Sequence, residues 1–485
     1  MAPIFIVLIV IAVIIIPLAI ACCRTIIAFM SKKKNKKFMS DTFETIECKN
    51  SALHLSHAVQ CQTVSNEDVS IVDWNEFDKL KTILKESFPL IHSQLVCRTI
   101  GEHNLVFIWE GVKPNVDPVL FCAHQDVVPA EPEGWEHPPF SGEINDGYVW
   151  GRGSFDMKGQ LICLLEAVES LLASNFKPQR SVWIALGCDE ETRGTSGAYL
   201  IAETLYNEQR RFACVIDEGG AVVEGFFPLI THPVAVVGIA EKSYVDVTLT
   251  CNGHGGHSST PSNPTPLGRI GRAVARVEYH RMPSRLTTPV KLMLQNLALH
   301  CSFATAFILG NPWLFWPIIS LILSKNPTTD ALIRDTKATT MAHGSTAPNV
   351  ISDQATAVVN CRLLPHSSKE RLRIWLQRII ADKHVNIAFH GQNPMSVPSS
   401  IDTIYYDILK KAIASVFTDA AISPYLMTGG TDALWYEKVS DQVFRFSPAL
   451  MNSSELSRMH AKNERFSLKN LERGINFYHF LIKSM

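Results

Sequence analysis

The chain of 485 residues has no Cys-x-x-Cys pair, no basic cluster after its N-terminal segment and a formal net charge of only −1. Cys122, Cys163, Cys188, Cys214, Cys251 and Cys361 lie inside apolar runs, so buried thiols are expected, not disulfides or zinc-thiolate sites. Without a concentrated cationic face, nucleic acid is not expected as a partner. The turn Gly151-Arg152-Gly153 lacks the spacing of a dinucleotide- or phosphate-binding loop, which argues against a nucleotide cofactor. Charge is also missing from two whole stretches, residues 2–23 and residues 302–323.

The first uncharged stretch is dense in Ile and Val and, at about 22 residues, long enough to span a bilayer. A cleavable leader is the rival reading, because Ala19-Ile20-Ala21 fits the small-residue cleavage rule; against it, no cation precedes the run. Arg24, Lys32, Lys33, Lys34, Lys36 and Lys37 follow, and this bias predicts a single-pass anchor with the body of the protein in the cytosol. The second stretch is interrupted by Gly310-Asn311-Pro312 and Pro317. It reads as an exposed or groove-forming element that meets an apolar ligand or a membrane, with plain core as the alternative.

The chemistry concentrates between residues 119 and 217. Apolar runs at 119–123, 182–188 and 212–216 are continuous, as buried parallel strands are. Helical stretches at 160–173 and 196–208 separate them, which predicts an α/β fold: a doubly wound catalytic domain with a mostly parallel sheet. Ligands of such sheets collect beyond the carboxyl ends of the strands. There stand His124, Asp126, Asp156, the pair Glu190-Glu191 and Asp217, with His460 near the end of the chain. Acids so crowded repel one another unless cations sit among them, and two imidazoles with several carboxylates suit zinc. Asp156, between glycine-flanked turns, is the candidate to bridge two ions. Of the adjacent pair Glu190-Glu191, one member can hold metal and the other move a proton, since neighbours at a strand end diverge. Asp126 can accept from the His124 ring and fix its tautomer.

From about residue 239 the strands alternate apolar and polar residues, at 244–250 and 355–363, among helices at 266–278 and 367–381 and a strand at 385–390. This predicts an α+β lid inserted into the catalytic domain. The expected division is an anchor at 1–24, a basic juxtamembrane segment and polar lead-in at 25–70, a catalytic domain at 71–238 and 393–485, and a lid at 239–392 carrying the apolar insert 302–324.

The runs His124 to Pro129, Gly151 to Gly159, Asp189 to Glu191, Asp217-Glu218-Gly219, Gly255-Gly256-His257 and Gly429-Gly430-Thr431-Asp432 occur in the order of one family. They resemble the two-zinc peptidases that include aminoacylase, carnosinase and glutamate carboxypeptidase. Residues 311–365 and 445–448 resemble its secreted N-fatty-acyl-amino acid synthase/hydrolase branch. The resemblance implies two zinc ions per subunit, one held by His124 and Asp217, the other by Glu191 and His460, with Asp156 between them. It implies Glu190 as general acid/base and His257 as an oxyanion donor to a partner subunit, in a homodimer formed through the lid. Asn349, Arg362, Gly429, Gly430 and Thr431 would hold substrate, Arg362 by its carboxylate. The secreted branch also implies a lumenal or extracellular location, opposite to the charge bias at the N-terminus.

The expected function is hydrolysis, or the reverse synthesis, of the amide bond of N-acyl amino acids with a preference for fatty acyl chains. A peptide substrate, cut by a carboxypeptidase or dipeptidase of the same family, is the alternative. A non-catalytic membrane receptor and a multi-span transport protein are the rivals from other classes.

Overall fold

The computed structural model describes residues 11–35, 45–227, 230–391 and 394–485. Residues 2–10 of the apolar run, and Lys36 and Lys37 after it, lie outside the described residues. The described part of that run continues into the helix Ile16–Asn35, and its segment Val13–Ser31 is long and apolar enough to cross a membrane.

The strands at the centre of the molecule are those whose apolar runs are unbroken. In Val119–His124, Val119, Phe121 and Ala123 join one core, while Leu120 and Cys122 join another. A strand covered on both faces has no polar side to show, hence the continuous run. Helices Lys158–Ala173, Ile404–Val416 and Leu468–Ser484 cover the first face, and Ala198–Asn207 covers the second.

The large sheet has ten strands. Val182–Gly187, Val119–His124, Cys214–Asp217 and Val443–Arg445 lie side by side and parallel. Its flanks are antiparallel, with Asn104–Trp109 beside Val182–Gly187 and Val234–Glu241 beside Val443–Arg445. The sheet is therefore mixed, and parallel pairs recur at Ala421–Met427 beside Val234–Glu241 and at Leu450–Met451 beside Val222–Val223. At one edge of the sheet Val96–Ile100 and Asn104–Trp109 form a hairpin. Gly101 turns it at φ 68°, and so short a connection can join only antiparallel strands.

The lid is a four-stranded antiparallel sheet in the order Thr336–His343, Gln354–Leu363, Ser243–Asn252, Val385–His390. Helices Pro266–Tyr279 and Lys369–Ile380 pack on one face of it. The burial of Ser243–Asn252 alternates along its length, as the sequence pattern requires. Thr336–His343 is an edge strand that the sequence reading missed, because most of it is exposed and shows no alternation. A single residue, Lys242, separates Val234–Glu241 of the large sheet from Ser243–Asn252 of the lid. Its side chain is buried, and its Nζ donates to the carbonyls of Ala331 and Arg334 at 3.0 Å and to Thr336 Oγ1 at 2.9 Å.

Two segments pack differently from the sequence-based division. The apolar insert, read as part of the lid, packs through Ile319 with Val290, Met293 and Leu294 on Val234–Glu241 and Ala421–Met427 of the large sheet. The supposed polar lead-in belongs to the catalytic body. Helix Ser51–Val59 places Leu55, Ala58 and Val59 in the main core, and Val64 bridges to Val127.

Lys158 fastens that helix in place. It is fully buried, and its Nζ donates to the carbonyls of Ala58 at 3.0 Å and Cys61 at 2.6 Å. Burial pulls its ammonium down to about 8 from the usual 10.5. Between those values the unfolded chain keeps a proton that the folded chain has released, so this group makes stability rise with pH across the window. Lys158→Met is expected to abolish that rise and to lower stability by about 1–3 kcal/mol through each carbonyl left unpaired. Urea titrations of both proteins on either side of the window check this.

Candidate metal centre

Each acid and imidazole of the centre sits where an apolar strand stops or in a turn beside one. His124 ends its strand almost wholly buried. Its Nε2 lies 3.1 Å from Asp156 Oδ1 and 3.4 Å from Glu218 Oε1. The other Asp156 oxygen, Oδ2, lies 3.0 Å from His460 Nε2, and His460 Nε2 is 3.2 Å from Glu191 Oε2. Two groups of donors result, His124 with Asp156 and Glu218, and His460 with Asp156 and Glu191; Asp156 belongs to both. Glu190 meets His124 and Glu191 in a third.

Asp217, expected from the resemblance to be a ligand, is not in these groups. Its carboxylate accepts the main-chain N–H groups of Glu218 and Ala433, and its Oδ2 is buried with no partner among the described residues. Glu218 faces His124 instead. Successive side chains diverge at a strand end, and here it is Glu218 that looks into the crevice. The same rule, applied in the sequence to Glu190-Glu191, was the available signal for Glu218.

Asp126 holds the constellation together. Its Oδ1 accepts the Glu190 N–H and its Oδ2 the Glu191 N–H, both at 3.1 Å. Ser65 Oγ donates to Oδ2 at 2.6 Å, and His124 Nδ1 lies 2.9 Å from the Asp126 main-chain oxygen. With Nδ1 engaged as donor, Nε2 keeps its lone pair turned into the crevice. Glu464 does the same service for the bridging residue and was not singled out from sequence. It accepts the N–H groups of Phe155 at 3.0 Å and Asp156 at 3.1 Å while paired with the buried Arg152.

The electrostatics explain what the centre needs. Burial, with Asp156 close by, pushes the Glu218 carboxyl up to about 8. Burial pushes Glu190 well above the carboxylate range, His124 opposing and Glu218 reinforcing the shift. Burial works against a charged His124, yet Glu218, Asp126 and Asp156 hold its imidazole well above the usual value. Hydrogen bonds to Asp156 and Glu191 raise His460 to about 10. Protons thus collect where the acids require positive charge, and divalent cations would displace them. The donors are imidazole nitrogens and carboxylate oxygens without thiolate, and Glu191 Oε1 is buried with no partner among the described residues. That set fits two metal ions, zinc among them.

Residues 120–484 match the description Peptidase family M20/M25/M40. The chain belongs to this family. An M20 relative, the probable carboxypeptidase S-like 2 of Dictyostelium discoideum, is 36% identical over 468 residues, covering 94% of this chain and 90% of that one. The N-fatty-acyl-amino acid synthase/hydrolase PM20D1 of Homo sapiens is 35% identical over 440 residues, covering 89% and 86%. Among solved structures, the M20 family metallo-carboxypeptidase Sso-CP2 from Sulfolobus solfataricus shares the fold, with a TM-score of 0.67 at 17% identity over 90% of this chain and 99% of that one.

Beside the M20 metal centre, Glu190, Arg193, Glu241, Gly430 and Thr431 line one pocket. Arg362 pairs across the lid sheet with Tyr244, and its guanidinium lies over the Tyr244 ring, 4.8 Å from the centroid. Arg193, not singled out from sequence, lies over the same ring at 4.6 Å. Arg362 Nη1 is buried with no partner among the described residues. Burial, with Arg193 repelling, pulls Arg362 down to about 10. A Cβ on Gly430 would stand 2.9 Å from Arg193 Nη2, so glycine there makes room for the guanidinium. Thr431 Oγ1 donates to Glu241 Oε2 at 3.1 Å, which also accepts from the buried Arg445 Nε at 2.8 Å. Gly429 adjoins open space.

The remaining expected residues lie elsewhere in the single chain. His257 and Asn349 are exposed neighbours on a short lid ladder, Gly256–His257 against Val350–Ile351. His257 Nδ1 accepts the Ser259 N–H at 3.1 Å, which leaves the ring proton on Nε2 as a donor.

Glu218→Ala is expected to lower the metal bound per chain, and Asp217→Asn to leave it unchanged, as measured by atomic emission after dialysis. Asp126→Asn turns an amide donor toward one of the two N–H groups that its oxygens accept and should weaken metal binding about 10–100-fold. Competition with a chromogenic chelator reads this.

Proposed function

We propose that the chain hydrolyses the amide bond of N-acyl amino acids, using two zinc ions held by His124, Asp156, Glu218, Glu191 and His460. The observation that carries this reading is Asp156, whose two oxygens face two separate imidazoles, with Glu190 and Arg193 lining the adjoining pocket and Arg362 over the same tyrosine ring as Arg193. When bound, such ions neutralise the clustered carboxylates, polarise the scissile carbonyl and acidify the attacking water.

The chain's own residues do the rest. Glu190 stands by the centre outside the two groups that share Asp156, free to take the proton of the attacking water and hand it to the departing amine. Its burial suits a group that must hold a proton near neutral pH. Arg362, joined by Arg193, meets the free carboxylate of the amino acid in charge-assisted hydrogen bonds. Gly430 and Thr431 shape that end of the pocket. His257, with its proton on Nε2, donates to the developing oxyanion of a second copy's substrate, Asn349 beside it. This role makes the active unit a homodimer built through the lid.

Fatty acyl chains are the favoured acyl groups, since each buried methylene contributes about 0.8 kcal/mol and the apolar insert offers a surface for them. A relative acting on N-fatty-acyl amino acids supports this. The carboxypeptidase reading is kept because another relative carries that name and both activities need a carboxylate-binding pocket. On the charge bias after the anchor, the catalytic body faces the cytosol.

Three measurements test the proposal. Amino-acid release from oleoyl-Phe, acetyl-Phe and a dipeptide is expected to be fastest for oleoyl-Phe; preference for the dipeptide would replace the acylase reading. Glu190→Gln should lower kcat about 100- to 10,000-fold with metal content unchanged. Arg193→Met should raise KM for oleoyl-Phe but not for oleoyl-Phe amide, which has no carboxylate to lose; equal effects on both would remove Arg193 from the carboxylate site.

A further inference from the structure

Two apolar helices of the insert, Phe303–Leu309 and Pro312–Leu323, meet at 99°. Asn311 stands at the break with its side chain almost wholly buried. Its Nδ2 donates to the Phe307 carbonyl at 2.9 Å and, across to the N-terminal helix, to the Ala21 carbonyl at 3.2 Å and Thr25 Oγ1 at 3.0 Å. Its Oδ1 accepts from Trp313 Nε1 at 3.3 Å. Thr25 Oγ1 donates in turn to the Ala21 carbonyl at 2.8 Å. One turn further on, Phe29 packs against Phe303 with ring centroids 6.1 Å apart. Ala21, Thr25 and Phe29 share one helix stripe, so the N-terminal helix docks on the hairpin by a single face.

The rest of both elements is exposed. Trp313, Ile318, Leu321 and Ile322 on the hairpin are 45–67% accessible, and Ile14, Ile20, Ile27 and Met30 on the helix are equally open. The polar groups on this surface tell what covers it. Thr305 bonds Ser302 at 3.1 Å, Ser320 bonds the Pro317 carbonyl at 3.1 Å, and Asn311 and Trp313 satisfy each other. A protein partner would call for a polar rim of free donors and acceptors. Hydrocarbon requires that such groups be satisfied internally, as these are. The level of the dock follows from the sequence. Arg24 is the first charge after the uncharged run of residues 2–23, so the dock from Ala21 to Phe29 stands where charge begins along the helix, the mark of the bilayer surface. A hairpin docked there and bent through nearly a right angle lies along the surface and does not cross it. Lys325, just past the hairpin, puts a cation at its end.

We propose that the hairpin is a monotopic element seated in the headgroup–acyl boundary of the bilayer that the N-terminal helix crosses, and that Asn311 latches the two into one membrane-bound unit. This does not depend on the amide chemistry. Helix Thr288–Ala298, beside the hairpin, packs on Ala421–Met427, the strand that leads into Gly429 and Gly430, so the seat places the substrate pocket close to the lipid.

The test uses the full-length chain in phosphatidylcholine vesicles containing a fraction of lipid with a diazirine near the carbonyl end of its acyl chain. After irradiation, adducts are mapped by peptide mass spectrometry. Adducts are expected in residues 303–323 in yield comparable to residues 13–31. Adducts confined to 13–31, confined to 303–323, or absent from both would overturn the proposal. Asn311→Leu keeps the hairpin apolar while removing the latch, and should lower the hairpin-to-anchor adduct ratio about fivefold. An unchanged ratio in that variant would overturn the latch.

Discussion

Five carboxylates, those of Asp126, Asp156, Glu190, Glu191 and Glu218, share one crevice with two imidazoles. Their mutual repulsion is the constraint around which the catalytic body is arranged. Asp126 answers it by spending its charge on main-chain N–H groups, which spaces Glu190 and Glu191 and leaves their side chains to the centre. Glu464 is answered by Arg152 and is turned outward to the loop that presents Asp156. What remains unanswered is the charge that metal ions would meet. Asp126 and Glu464 accept N–H groups or guanidinium, while Asp156, Glu191 and Glu218 lie against imidazole.

The substrate side shows the opposite imbalance. Arg193 and Arg362 crowd onto one tyrosine ring, and a Tyr244 hydroxyl bonded to Asp246 at 2.6 Å keeps that ring in place. Two cations brought together, while the nearby Glu241 carboxylate is taken by Arg445, make a site for an anion. The two charge clusters are joined by the Glu190–Arg193 turn, in which the Arg193 N–H donates to the Glu190 carbonyl at 2.8 Å.

How much of this could be read from the chain follows from range. A polar residue that stops an apolar run is a local signal, and it marked His124, Glu190 and Glu191 and the parallel strands that carry them. The choice between Asp217 and Glu218 depends on which way a strand end is turned by its neighbours, and a sequence does not display that. The helix Ser51–Val59 carries Ser and His among its apolar residues and so read as a linker, though Lys158 and the core hold it. Arg193 gains its meaning only from Tyr244, which a different domain supplies. The insert revealed its apolar character but not its location, since packing on Ala421–Met427 is a contact between distant parts of the chain.

The junction at Lys242 has a mechanical consequence. The strand that leaves it, Ser243–Asn252, has ten residues, about 33 Å at the usual rise. His257 rides beyond its far end. Pinned at three points, the Lys242 ammonium sits at the fulcrum of a stiff arm, and a rotation of about ten degrees there would sweep the tip through about 6 Å on that arm length. Gearing of this kind lets a barely perceptible torsion at the root set where the His257 imidazole comes to stand.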